Sequence, residues 1–231
     1  MSAHDLNHVR PAHYPVMLDL AGQDALLIGG GGVAARKATA LLSAGARLRV
    51  VAPALGPALR ALHEAGELRW EARPARQGDA AGNAIVVCAA SDREANAMVA
   101  AEARAAGIPV AVADAPETGT VVVPASLRRG RLVVAVSTSG GSPALAAFVR
   151  RRLEDALGAE FEQLAELATR MRERAREAGI DAATRERLAA GLLPQLLDLL
   201  RAGRVDEAEA LADAAGSAPA GVDTAEAAPW S

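Results

Sequence analysis

Leu26-Leu27-Ile28-Gly29-Gly30-Gly31-Gly32-Val33-Ala34 is the stretch on which the fold of this chain turns. The three apolar residues read as the end of a strand and the four glycines as a tight turn. Val33-Ala34 opens a helix that runs to about residue 44, where Gly45 stops it. Within the run, Gly29-x-Gly31-x-x-Ala34 fits the G-x-G-x-x-G/A turn that cradles a pyrophosphate. The first glycine permits the turn, the second lets backbone approach a phosphate, and the small third residue lets helix and strand pack closely. Free N–H groups and the positive dipole end of the helix, around Gly32 and Val33, then face the anion. Between a strand and a helix this pattern points to a dinucleotide; the rival reading is a glycine-rich turn that holds no ligand.

Working outward, 25–28, 47–52, 84–89 and 108–113 read as strands and 67–71 as a weak one, with a further short strand expected at 15–20. Helical patterns at 32–44, 57–65 and 92–106 alternate with them. The run at 84–89 is apolar throughout, as a strand buried on both faces should be. Strand–helix alternation implies an α/β fold of Rossmann type, a parallel sheet with right-handed crossovers. The pattern then changes. Residues 120–124 and 131–137 read as two strands joined by a short basic link, 125–130, which makes a small separate β element. Ser142 and Pro143 open a helix as N-cap and first helical residue. The chain stays helical to about residue 215, with Leu145, Phe148 and Val149 on one stripe and Phe161, Leu164, Ala168 and Met171 on another. Gly179 ends one helix, Asp181 caps the next, and Pro194 should start or kink a helix. Residues 1–13 are polar and unpatterned, and 216–231 read as a disordered tail.

Composition narrows the classes. The 231 residues are 51% hydrophobic but only 2% aromatic, so Ala, Val and Leu must fill the core. A net charge of −3 gives no basic field for nucleic acid. Lys37 is the only lysine among many arginines. The single Cys88 excludes a disulfide framework and a cysteine metal cluster, and reads as a small buried hydrophobe. His4, His8 and His13 lie in the polar N-terminal stretch and make no metal-ligand constellation, so no metal site is expected. No secretory signal and no apolar run of the roughly 18–20 residues that span a membrane are present, which predicts a cytoplasmic protein.

The expected acidic residue at the end of the second strand, which would hold a ribose hydroxyl, is missing. That strand ends Val50-Val51-Ala52-Pro53-Ala54, so Pro53 and Ala54 offer backbone groups only, and NAD cannot be told from NADP by this rule. Ala90 and Ser91 end the fourth strand, where backbone lies near the nicotinamide side of such a cofactor; Asp92 reads as a helix N-cap. Asp114 follows the fifth strand at its carboxyl end, the edge where open α/β sheets bind ligands. It reads either as a base or as a turn aspartate ahead of Pro116. Arg128, Arg129 and Arg131 beside Gly130, and Arg150–Arg152 on a helix, read as solvated charge or as forks for a polycarboxylate.

Several of these stretches together carry a resemblance. They are Tyr14-Pro15-Val16-Met17-Leu18-Asp19-Leu20, GGGGVAARK at 29–37, Ala44-Gly45-Ala46-Arg47-Leu48, Ala89-Ala90-Ser91-Asp92 with Asn96, Val112-Ala113-Asp114-Ala115-Pro116, and Pro124-Ala125-Ser126 followed by Val134–Pro143 (VAVSTSGGSP). Over residues 14–155 the chain resembles the siroheme synthase dehydrogenase/ferrochelatase family, whose members act on precorrin-2. It departs at Ala111, Val121 and Thr138, where relatives often carry Asn, Phe and Ser, and the methyltransferase domain fused to some relatives has no counterpart here. The resemblance implies NAD-dependent oxidation of precorrin-2 to sirohydrochlorin, followed in many relatives by insertion of Fe²⁺ to give sirohaem. It implies a homodimer built as a Rossmann domain (1–123), a dimerisation segment (124–153), a helical domain (154–215) and the tail (216–231). It assigns proton chemistry to Asp114, cofactor contacts to Gly29, Gly31, Gly32, Val33, Pro53, Ala54, Ala90 and Ser91, and substrate contacts to Ser137, Thr138, Ser139 and Arg128. The alternatives are a dehydrogenase with a separate chelatase, or a non-catalytic NAD-sensing module.

Overall fold

The computed structural model describes residues 13–217. The expectations of a flexible start and a disordered tail fall mostly outside those residues, as do His4 and His8. The described chain divides into two compact units, one running to Val123 and including Ser139–Gly141, the other made of Pro124–Thr138 and everything from Ser142 on.

The first unit is a five-stranded sheet, all of it parallel. Its strands are β1 (Asp24–Ile28), β2 (Arg47–Ala52), β3 (Leu68–Ala72), β4 (Ile85–Cys88) and β5 (Val110–Val112), in the order β3-β2-β1-β4-β5. Three helices link them: α1 (Gly32–Ser43), α2 (Pro57–Glu64) and α3 (Arg93–Ala105). Period-two alternation sorts each strand's side chains to two faces. Ala25 and Leu27 of β1 join Val50, Val87 and the inner faces of α1 and α2, through Ala34, Ala38, Leu41 and Leu59. Leu26 and Ile28 join Val51, Val86, Cys88 and Val110 beneath Val99, Ala100 and Ala103 of α3. A core almost free of aromatics is thus closed by short side chains that let helix and sheet approach.

The second unit pairs β6 (Ala125–Arg129) and β7 (Leu132–Val136) antiparallel, followed by helices α4 (Pro143–Ala156), α5 (Glu160–Glu177), α6 (Ala182–Arg201) and α7 (Val205–Ser217). Leu164, Leu167, Leu196, Leu200, Ala208 and Ala212 make a core among α5, α6 and α7. Ser142 caps α4 and Asp181 caps α6, each accepting a hydrogen bond from the backbone N–H three residues on.

Three expectations are corrected. Residues 15–20 form no strand: they have no strand partner, and Tyr14, Val16, Met17 and Leu18 are exposed. Residues 120–124 form none either, because Thr120 and Val121 both donate to the one carbonyl of Val110 instead of starting a ladder. The strand lies in the supposed basic link, where Leu127 is buried between outward Ser126 and Arg128. Charged residues can stand on a hairpin whose other face is covered, which the apolar pattern alone does not reveal. Of the two roles expected for Pro194, starting a helix is excluded, since it lies inside α6.

The loop after β3 is held by charge. Asp79, 4% exposed, accepts from Arg73 through both carboxylate oxygens at 2.6 and 2.9 Å and from the Arg76 N–H at 2.8 Å. Arg49 on β2 bonds the Asp79 carbonyl at 2.7 Å and Glu71 at 3.1 Å, and Glu71 also pairs with Arg73. Burial raises the proton affinity of Asp79, but the hydrogen bonds and charges of Arg73 and Arg49 outweigh it and hold the carboxyl below its ordinary 3.8. Removing one partner of a buried pair strands the other, so Asp79→Asn should cost about 3 kcal/mol in denaturant unfolding at pH 7. A group depressed in the folded state stabilises above its unfolded value and loses that contribution as pH falls through the folded one. The gap between variant and wild type should therefore be full above pH 3.8 and shrink in stronger acid; a gap independent of pH would contradict the assignment.

Candidate functional site

The carboxyl ends of β1, β2 and β4 surround a cavity of about 640 Å³. Strand order reverses on either side of β1, and a parallel sheet leaves its crevice at that point. The wall is made by residues 28–33 of the glycine turn, 51–56 after β2, Pro74 and Ala75 after β3, and 89–92 with Ala95 after β4. All of Gly29, Gly31, Gly32, Val33, Pro53, Ala54, Ala90 and Ser91 stand on this one wall.

The glycines differ in what they do. Gly29 has φ +118°, and a Cβ there would lie 2.5 Å from the Ala89 carbonyl oxygen. At Gly30 a Cβ would lie 1.9 Å from the Ala54 carbonyl oxygen, while the Gly30 carbonyl accepts the Gly56 N–H at 2.8 Å. Gly31 has nothing within 4 Å in the Cβ direction, and it lines the cavity. Gly31 is also the N-cap of α1, with no side-chain hydrogen bond to the helix and no acid in the first turn. The first N–H groups of α1 therefore have no side-chain acceptor and point to where an anion would sit.

Asp114 is absent from the wall itself. It follows β5, whose exit is fixed by the Ala113 N–H bonding the Cys88 carbonyl at 2.9 Å. Its carboxylate is about one-third exposed. Oδ1 accepts from Asn96 Nδ2 at 3.2 Å and Oδ2 lies 3.3 Å from the exposed Arg93 guanidinium. Asn96, 1% exposed, also donates to the Ala90 carbonyl at 2.9 Å and accepts the Ala90 N–H at 3.2 Å. Cys88 beneath is fully buried; burial first, and the Asp114 charge second, push its thiol up to about 12. A thiol so placed is inert.

The substrate candidates fall elsewhere in the chain. Arg128 is exposed on β6, opposite Val133. Thr138 Oγ1 accepts the Ser142 N–H at 2.9 Å, which fixes the approach to α4. Ser137 is exposed at the end of β7, and Ser139 has φ 52°, the only positive value outside glycine among the described residues. Sequence reasoning gave Gly30 no role, although four consecutive glycines exceed what the motif needs. It quoted Asn96 without assigning it anything. The available signal was a polar residue on the buried stripe of α3 with Val99, Ala100 and Ala103. Among the described residues, no group of three or more His, Cys, Asp or Glu could hold a metal ion.

Comparison with known proteins agrees with this geometry. Residues 16–125 match the family described as "Putative NAD(P)-binding", and residues 129–156 match "Sirohaem biosynthesis protein central". A siroheme synthase of Pseudomonas paraeruginosa is 43% identical over 198 residues, covering 85% of this chain and 43% of that protein. One from Ectopseudomonas mendocina is 40% identical over 208 residues, 89% of this chain and 45% of its own. The chain thus spans less than half the length of these curated relatives. The solved structure of SirC, a precorrin-2 dehydrogenase, superposes with a TM-score of 0.67 at 26% identity, covering 87% of this chain and 99% of that one. Fold and cavity define a Rossmann-type protein with a dinucleotide crevice. Within that class, the chain is similar over most of its length to siroheme synthases and to a precorrin-2 dehydrogenase.

The two central glycines are separable by experiment. Gly30→Ala forces a methyl into the Ala54 carbonyl and should cost about 2 kcal/mol of overpacking strain. Gly31→Ala points into open space and should leave the melting temperature within a degree or two of wild type. Equal stability of the two variants would contradict the described turn.

Proposed function

We propose that this chain oxidises precorrin-2 to sirohydrochlorin with NAD, on the way to sirohaem. The observation that carries this reading is a single cavity walled by the glycine turn and the ends of β2 and β4, with a carboxylate tied to that wall through one buried amide. A dinucleotide suits the residues present. The open side of Gly31 and the uncapped N-terminus of α1 would take the pyrophosphate, with Gly29, Gly32 and Val33 shaping the turn. Pro53 and Ala54 would meet a ribose through backbone, and Ala90 and Ser91 the nicotinamide side. NAD, when bound, supplies a hydride acceptor. Oxidation of precorrin-2 also releases a proton, and the Asp114 carboxylate would accept it from a pyrrole N–H. Arg128 would pair with substrate carboxylates, and Ser137, Thr138 and Ser139 would offer hydroxyls to substrate.

The same base would serve a second step, in which Fe²⁺ enters as substrate and displaces N–H protons while the macrocycle nitrogens bind it. The match of residues 129–156 to a sirohaem biosynthesis protein favours keeping that step in the reading. A homodimer is favoured by apolar surface left open in each unit: Tyr14 and Met17 are 87% and 70% exposed, Leu145 and Phe148 50% and 53%. The β6–β7 pair is too small to stand alone, which fits a role at such an interface. No helix among the described residues is long and apolar enough to cross a membrane, and we place the protein in the cytoplasm.

Incubation with precorrin-2 and NAD should produce the sirohydrochlorin spectrum. Asp114→Asn keeps shape and removes the base, so turnover should fall by roughly 10²–10⁴-fold while NAD affinity stays near wild type. Wild-type turnover by that variant would remove Asp114 from the chemistry and point to Ser137–Ser139 instead; no turnover by the wild type itself would favour a nucleotide-sensing role. Gly31→Asp puts a carboxylate where the pyrophosphate belongs; calorimetry should show NAD binding lost with the fold intact. Fe²⁺ insertion into supplied sirohydrochlorin is assayed separately, since a dehydrogenase alone would show none. Light scattering at micromolar concentration should give twice the chain mass.

A further inference from the structure

We propose that Asn96 is a positioning residue for the reaction, a side chain that locks the Asp114 carboxylate to the wall of the dinucleotide cavity. The inference rests on the assignment of Asp114 as the proton acceptor and says how that carboxylate is aimed.

Asn96 is 1% exposed on a face of α3 otherwise made of Val99, Ala100 and Ala103. A buried amide on an apolar face is retained only where its hydrogen bonds are made. Here both Nδ2 protons are used, one on the Ala90 carbonyl at 2.9 Å and one on Asp114 Oδ1 at 3.2 Å, while Oδ1 accepts the Ala90 N–H at 3.2 Å. The amide has one orientation that satisfies this set. Turned over, its nitrogen would face the Ala90 N–H and its oxygen would face two acceptors. Asn96 therefore grips Ala90 at two points, as a neighbouring strand would, and spends its remaining donor on the carboxylate.

Its own helix is fixed in turn. The Asp92 side chain accepts the Ala95 N–H at 3.0 Å, and the Asn96 N–H bonds the Asp92 carbonyl at 3.1 Å. The first turn of α3 thus reaches both oxygens of Asp114, Oδ1 through Asn96 and Oδ2 through Arg93. Arg93 is 85% exposed and gives a loose, screened contact. The buried amide sets the direction of the carboxylate. Ala90 lies on the cavity wall, so cofactor side and base share one rigid reference. Displacing a reacting group by about 1 Å can cost 10²-fold in rate, which makes such a reference consequential.

Asn96→Asp tests this with little change of shape. Ionised, it keeps the acceptor for the Ala90 N–H, loses both donors and sets a like charge beside Asp114. Turnover of precorrin-2 at saturation should fall at least about tenfold. NAD affinity by calorimetry should change by less than about threefold, because residues 29–33 are untouched. The decisive arm is the cycle with Asp114→Asn. If Asn96 acts through Asp114, the double variant is no more than about threefold slower than Asp114→Asn alone. If its role is only structural, the two losses multiply. A readout free of turnover is the side-chain amide pair of Asn96 in a nitrogen–proton spectrum, whose signals should move on Asp114→Asn and on adding NAD. Unchanged Asn96 signals, multiplying losses, or a twofold or smaller effect of Asn96→Asp would each overturn the proposal while leaving Asp114 as base. Full turnover by Asp114→Asn would overturn the underlying assignment instead. Should Asn96→Asp fail to fold, Asn96→Ser, which retains one donor, takes its place in the same cycle.

Discussion

The crevice depends on how little room there is where the chain leaves β1. The turn after Ile28 passes between the ends of two neighbouring strands. A methyl on Gly29 would strike the Ala89 backbone on one side, and a methyl on Gly30 would strike Ala54 on the other. Backbone alone fits both gaps, and it bonds as it passes, from the Gly29 N–H to Val51 and from the Gly56 N–H to Gly30. With the corner closed that tightly, α1 starts at a set height above the sheet. The wall residues after β2 and β4 are then held at fixed distances from it. The interlocked strands beneath, buried on both faces, give the corner a rigid base.

Much of the first unit was legible because its signals are local and redundant. The 84–89 run is apolar and β-branched, 47–52 ends in Val50-Val51-Ala52, each helix carries a repeat of small or apolar residues, and Gly45 and Gly107 mark helix ends. Agreement among pattern, turn residues and caps leaves few other folds. The reading failed where a strand's identity depends on what pairs with it. Residues 15–20 look like a strand but have no partner among the described residues. Residues 125–129 carry two arginines and read as a link, yet Arg129 turns back to the Leu157 carbonyl at 3.0 Å and Leu127 is buried. A hairpin is defined by its cross-strand neighbours, and those are not written in a window of five residues.

The cavity wall was legible for a related reason. Backbone sites are announced by glycines and strand ends, which the sequence marks clearly. Side-chain geometry is another matter. Nothing in the spacing of Asn96 and Asp114, eighteen residues apart, says that they touch. The contact exists because β4 and β5 are adjacent in register, Cys88 beside Val112, with α3 crossing between them. The Arg49–Glu71–Arg73–Asp79 cluster was likewise invisible, since its members come from two strands and a loop. In an arginine-rich chain, a single arginine gives no hint of which charge it will meet.

One local omission has a wider consequence. Helices α3, α4 and α6 each begin on a side chain that accepts an N–H of the first turn; α1, like α2 and α5, does not. A missing cap of this kind withholds on the order of 1 kcal/mol from the empty protein. An anion at the same place restores it. The corner on which the sheet and crevice depend is then the part whose integrity rises and falls with occupancy.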